Sequence, residues 1–149
     1  MSDTILDRIV RSVKARLDAA TADPDLPRRA ADTTARRRAQ GTTRSLAAAL
    51  SAPGPAVIAE IKHASPSAGL LREPFDPVAL AQAYEAAGAA AISVVVEQDF
   101  FLGDPRWLDA VHAAVRIPVL RKDFIVDRRQ LEDAAVRRAD AVLLIQRLL

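Results

Sequence analysis

Ala56-Val57-Ile58-Ala59-Glu60-Ile61-Lys62 is a short, largely apolar run that stops on an acid and a base. Following Pro53-Gly54-Pro55, it has the signature of a strand buried in a parallel sheet. Three more runs of this kind come after it. They are Ala90-Ala91-Ile92-Ser93-Val94-Val95-Val96-Glu97, Ile117-Pro118-Val119-Leu120-Arg121-Lys122 and Asp140-Ala141-Val142-Leu143-Leu144-Ile145. Helical stretches with clear start signals separate them. Asp76-Pro77 and Asp104-Pro105 each place an N-cap acid before a proline at the first helical position. Asp127 is read as the cap of the third helix and Gly88 as the stop of the first. Val78, Ala81, Tyr84 and Glu85 give the first helix an inner face, as Leu108, Val111 and Val115 give the second. Strand–helix units in series predict an α/β fold, a parallel sheet with helices outside it. Doubly wound sheets and (β/α)8 barrels share this pattern, and periodicity does not separate them.

Upstream the texture is helical only. Ile5, Leu6, Ile9, Val10, Val13 and Leu17 form one apolar stripe, which Asp23-Pro24-Asp25-Leu26-Pro27 breaks. A charged helix follows to about Gln40, where Gly41 is the expected stop, and Ser45 to Leu50 reads as a short helix. The expected division is a helical extension over residues 1–52 and about four βα units over residues 53–149.

Composition narrows the function. With no cysteine and only His63 and His112, the 149 residues offer no disulfide scaffold, thiol nucleophile or histidine-based metal site. No apolar run of about 18 residues is present to cross a membrane. The N-terminus is charged and without an apolar signal core, so a cytoplasmic location is expected. Six arginines (Arg28, Arg29, Arg36, Arg37, Arg38, Arg44) and one acid, Asp32, concentrate a charge of +5. With no interleaved aromatics or reader motif, that run is read as a solvated helix face rather than a nucleic-acid footprint. His63 is read as a loop residue and His112 as lying on a helix exterior.

Three of the four expected strands finish in ionisable residues: Glu60 and Lys62, then Glu97, then Lys122 with Asp123. Carboxyl ends of strands carry the sites of both candidate folds. Glu60 and Lys62 lie two apart and point to one face, as a rim salt bridge or as a catalytic pair. Lys122 occupies the equivalent place two strands later, either as a solvent-facing lysine or as a proton donor and anion contact. Two lysines and a glutamate converging on one end suit an anionic substrate. No glycine-rich nucleotide loop follows any strand.

Glu60-Ile61-Lys62-His63-Ala64-Ser65-Pro66-Ser67 resembles the first-strand motif of indole-3-glycerol phosphate synthases. Arg121-Lys122-Asp123-Phe124 is similar to their third strand, and Ile92-Ser93-Val94 with Glu97, Phe100-Phe101 and Gly103 to their second strand and loop. Asp140-Ala141-Val142-Leu143-Leu144-Ile145 resembles their fourth strand. Small departures surround these motifs at His63, Ala68 and Val96.

The resemblance implies a partial TIM (β/α)8 barrel preceded by an N-terminal helical extension. It implies ring closure of 1-(2-carboxyphenylamino)-1-deoxyribulose 5-phosphate, losing carbon dioxide and water, in tryptophan biosynthesis. Such an enzyme is a carboxy-lyase that works without a cofactor or metal. By motif, Lys122 matches the general acid, Lys62 the lysine that engages the substrate carboxylate, and Glu60 the carboxylate orienting both. Ser65 belongs to a substrate-contacting motif, and Phe101 and Phe124 match aromatics beside the anthranilate ring. The implied partner is a phosphorylated small molecule, with no nucleic acid and no membrane. The family continues beyond its fourth strand with a glutamate on the fifth, an asparagine on the sixth and a glutamate on the seventh. Loops after the last two strands grip the phosphate. Residues 1–149 are therefore expected to be a shortened chain, weak or inactive alone, and prone to self-association through open sheet edges. The alternative is a non-catalytic half-barrel that binds a phosphate-sugar or assembles with a partner chain.

Overall fold

A computed structural model describes residues 3–148. Three helices come first: α1 (Ile5–Ala19), α2 (Leu26–Ala39) and α3 (Leu46–Leu50). Then follow β1 (Ile58–Ile61), the short strands β2 (Ala64–Ser65) and β3 (Gly69–Leu70), and α4 (Pro77–Ala86). The rest alternates as β4 (Ala91–Val95), α5 (Trp107–Ala114), β5 (Val119–Lys122), α6 (Arg128–Val136) and β6 (Ala141–Val142), with a 3₁₀ turn over Gln146–Leu148. No helix among the described residues is long and apolar enough to cross a membrane.

β1, β4, β5 and β6 form one parallel sheet in chain order. A doubly wound sheet reverses its strand order at a switch point, whereas this one advances in a single direction, as a barrel does. Register then sorts the side chains. Glu60 is level with Ser93, Ser93 with Leu120, and Leu120 with Ala141, so these share one face. The opposite face carries Ile61, Ile92, Val94 and Val119, which pack with Ala81 of α4 and Leu108 and Val111 of α5 into a fully enclosed core. At about 1.5–3 kcal/mol per buried aliphatic side chain, this layer is the main source of stability for the sheet.

The expected helix punctuation mostly appears. The Asp76 carboxylate accepts the N–H groups of Val78 and Ala79. Asp127 and Gln130 form a reciprocal capping box. Ser45 accepts from the Ala48 N–H, and Gly88, at φ +90°, turns the chain out of α4. Asp104 departs from expectation. Its carboxylate accepts the Arg106 N–H and closes a turn, so α5 starts at Trp107 instead of at the proline. The fourth strand is shorter than the apolar run: only Ala141 and Val142 pair with β5. The segment after β1, read as loop, contains the antiparallel pair β2–β3, with Ser65 opposite Gly69.

Two polar assignments are corrected. His112 is not on an exterior: it is 5% exposed, and its Nε2 lies 3.1 Å from Arg37 Nη2. Nor is the arginine run wholly solvated. Arg37 is buried and pairs with Asp140, while Arg44 donates to the carbonyls of Ile117 and His112. Periodicity missed this because the partner, Asp140, lies 103 residues away. Burial raises the Asp140 carboxyl, but donors from His112, Val119, Arg44 and Arg37 outweigh it and hold the group below its ordinary value.

Candidate active site

Glu60 is the centre of the arrangement at the carboxyl ends of β1 and β5. One of its carboxylate oxygens accepts Lys62 Nζ at 2.7 Å, and the other pairs with Lys122 Nζ. The two-residue strand period puts Glu60 and Lys62 on one face, and the β1–β4–β5 register brings Lys122 to the same level, beside Val95. Partial burial pushes the Glu60 carboxyl up. The hydrogen bonds from Lys122 and Lys62 overcome that and lower it, so it is ionised at neutral pH. One carboxylate between two ammonium groups leaves the cluster with one net positive charge. It can hold an anionic group, and the Lys122 side chain is 43% exposed.

Phe101 and Phe124 complete one wall, their ring centroids 6.0 Å apart. With Glu60, Lys62, Val95 and Lys122 they border a cavity of about 120 Å³, closed on another side by Leu143 and Ile145. Five of the six sequence-derived site residues therefore meet around one space. Ser65 does not line it. That side chain sits in the β2–β3 hairpin, where its Oγ accepts the Ala68 N–H at 3.2 Å.

Two residues outside that set shape the site. Glu97 is 1% exposed, and one of its oxygens accepts the N–H groups of Phe100 and Phe101, at 2.7 and 3.1 Å. The other accepts from the Asp99 N–H and from Arg16 of α1. The loop that presents Phe101 is thus wound around one buried carboxylate. Gly103 closes the same loop: a Cβ there would lie 2.6 Å from the Val95 carbonyl oxygen and 2.7 Å from that of Glu97. The signals available in the sequence were Glu97 at a strand end and a glycine six residues beyond it.

α1 lies over this loop. Arg8, Ser12 and Arg16, spaced by one turn each, meet Phe100, Asp99 and Glu97 in turn. The Arg8 guanidinium is 5.7 Å from the Phe100 ring centre.

The family model for indole-3-glycerol phosphate synthase matches residues 6–149. The chain belongs to that family. It is 48% identical over 143 residues to the indole-3-glycerol phosphate synthase of Geobacillus thermodenitrificans, covering 95% of this chain and 51% of the relative. To that of Mycolicibacterium gilvum it is 50% identical over 144 residues, 97% of this chain and 52% of the relative. A stretch of 93 residues is 61% identical to the enzyme of Carboxydothermus hydrogenoformans, covering 62% of this chain and 35% of the relative. The chain spans about half the length of the curated relatives that it matches along nearly its whole length. The four parallel strands and their helices are accordingly part of the (β/α)8 barrel of the indole-3-glycerol phosphate synthase family.

Proposed function

We propose that this chain carries the first part of an indole-3-glycerol phosphate synthase site, with residues 1–52 as a helical extension docked on the βα units of residues 53–149. The observation that supports this best is Glu60 holding Lys62 and Lys122 beside the Phe101–Phe124 pair. The proposed substrate, 1-(2-carboxyphenylamino)-1-deoxyribulose 5-phosphate, has an aromatic ring for the phenylalanines and a carboxylate for Lys62. Lys122 would deliver a proton to the carbonyl oxygen as the ring carbon attacks it. The hydroxyl so formed takes a second proton and leaves as water while the neighbouring chain carbon releases a proton to solvent, and the carboxylate leaves as carbon dioxide, whose bonding electrons restore the ring. Glu60 would orient both lysines. Ser65, in the hairpin after β1, would contact substrate from the loop side. Such a carboxy-lyase of amino-acid biosynthesis would act in the cytoplasm.

Fusing residues 1–149 to the remaining βα units of the Geobacillus thermodenitrificans relative provides a complete barrel for the test. In single-turnover assays, Lys122→Ala is expected to lower the rate by about 10²–10⁴-fold, the usual scale for a positioned acid, with substrate affinity largely kept. A near-normal rate would remove Lys122 from the role. Binding without turnover in the unsubstituted fusion would favour a phosphate-sugar binding module instead.

A further inference from the structure

A second cavity, of about 390 Å³, lies on the helix-facing side of the sheet, beneath α1 and the turn that joins it to α2. None of Glu60, Lys62, Lys122, Phe101 or Phe124 lines it. The two cavities are nevertheless back to back. Val95 faces the first and Val96 the second, while Asp123 borders both.

The lining has two characters. Val13, Leu17, Leu26, Pro24, Val96 and Pro105 supply an apolar wall. Opposite it, Arg121, only 4% exposed, is gripped by Asp123 at 2.8 Å and by Asp133 at 2.6 Å. Around the whole space stand four arginines and four carboxylates, so the lining is electrically neutral while offering both signs at close range. A ligand with one net charge would leave a charge unmatched after losing its water beside the buried Arg121–Asp123 pair, which is costly. A zwitterion brings both signs and loses less. The apolar wall asks for one large hydrocarbon or aromatic group, and the volume lies within the range of small-molecule sites.

We propose that this cavity is a second small-molecule site, selective for a zwitterion that carries one large apolar group, such as an α-amino acid with an aromatic side chain. Two of its ion pairs reach the loops of the first site. Arg16, on its border, holds Glu97 and so the Phe101 loop, and Arg121 holds Asp123, the neighbour of Lys122 and Phe124. Occupancy here is therefore felt at both phenylalanines.

The test uses the 149-residue chain and three ¹⁹F NMR probes: 4-fluorophenylalanine, 4-fluorophenylpropionate and 4-fluorophenethylamine. Saturable broadening of the zwitterion at millimolar concentration is expected, with at least about tenfold weaker effects on the two singly charged probes, a free-energy gap of about 1.4 kcal/mol. Ala20→Trp and Thr21→Trp, at exposed positions that border the cavity, fill it without touching the enclosed core and should each abolish the effect in a chain with unchanged circular dichroism. Lys122→Ala should leave it intact, which separates this site from the proposed catalytic one. No broadening, equal binding of all three probes, or binding that survives both tryptophan variants would overturn the proposal.

Discussion

Glu60 accepts one lysine on each carboxylate oxygen, so a single substitution there frees two cations at once. Because the carboxyl titrates below its ordinary value, both ion pairs are complete at neutral pH and break only as the pH falls through that lowered value. In the complete-barrel fusion, Glu60→Gln is expected to impair single-turnover ring closure while leaving the fold unchanged by circular dichroism; unaltered kinetics would assign the carboxylate to the rim alone. Gly103 makes a different kind of demand. The atoms its Cβ would meet are all backbone and cannot swing aside. Gly103→Ala should therefore cost about 1–3 kcal/mol, the scale of overpacking, measured as a lower urea midpoint. Glu97→Gln should cost about as much, since an amide NH₂ cannot accept all the N–H donors now gathered on the two oxygens.

At the scale of elements, α1 and α2 each attach to the βα units through polar contacts that span much of the chain. α1 bears on the loop over residues 97–101 with Arg8, Ser12 and Arg16. Arg16→Ala should raise hydrogen exchange at the Asp99, Phe100 and Phe101 amides and leave the amides of α6 unchanged. Uniform loosening of both would mean general destabilisation instead. α2 inserts Arg37 against Asp140 and His112, next to the Val119 N–H that Asp140 also accepts. Asp140 has a lowered folded-state pKa, so its stabilising contribution is full above the unfolded value of about 3.9 and is lost as the pH falls below it. Denaturation midpoints should accordingly drop on acidification, with a shallower slope in Asp140→Asn. Equal slopes in both proteins would show that Asp140 does not govern the acid limb.

For the whole molecule, the decisive feature is a four-stranded sheet whose edge strands, β1 and β6, each have one neighbour among the described residues. Ile58 is 39% exposed and Leu143 is 36% exposed on the face that carries Glu60. Unpaired edges and an open apolar face favour association, and closing a barrel requires four more strands. Size-exclusion chromatography with light scattering on the 149-residue chain is expected to show dimers or larger species. A stable monomer across concentrations would refute self-association through these edges.

Much of this is legible in the residues alone. Short apolar runs, the Asp76-Pro77 start and Gly88 placed most of the strands and helices, because these signals are local and each depends on a few neighbouring backbone groups. The motifs Glu60-Ile61-Lys62 and Arg121-Lys122-Asp123-Phe124 pointed to the candidate site, since strand ends collect chemistry in this architecture. Other features needed pairings that no window along the chain contains. The barrel-type strand order, the burial of His112 and Arg37 against Asp140, and the winding of the Phe101 loop on Glu97 join residues far apart or loops without periodicity. Amphipathic periodicity reports which face a residue occupies, whereas the fate of a charge depends on whether a distant partner arrives to neutralise it.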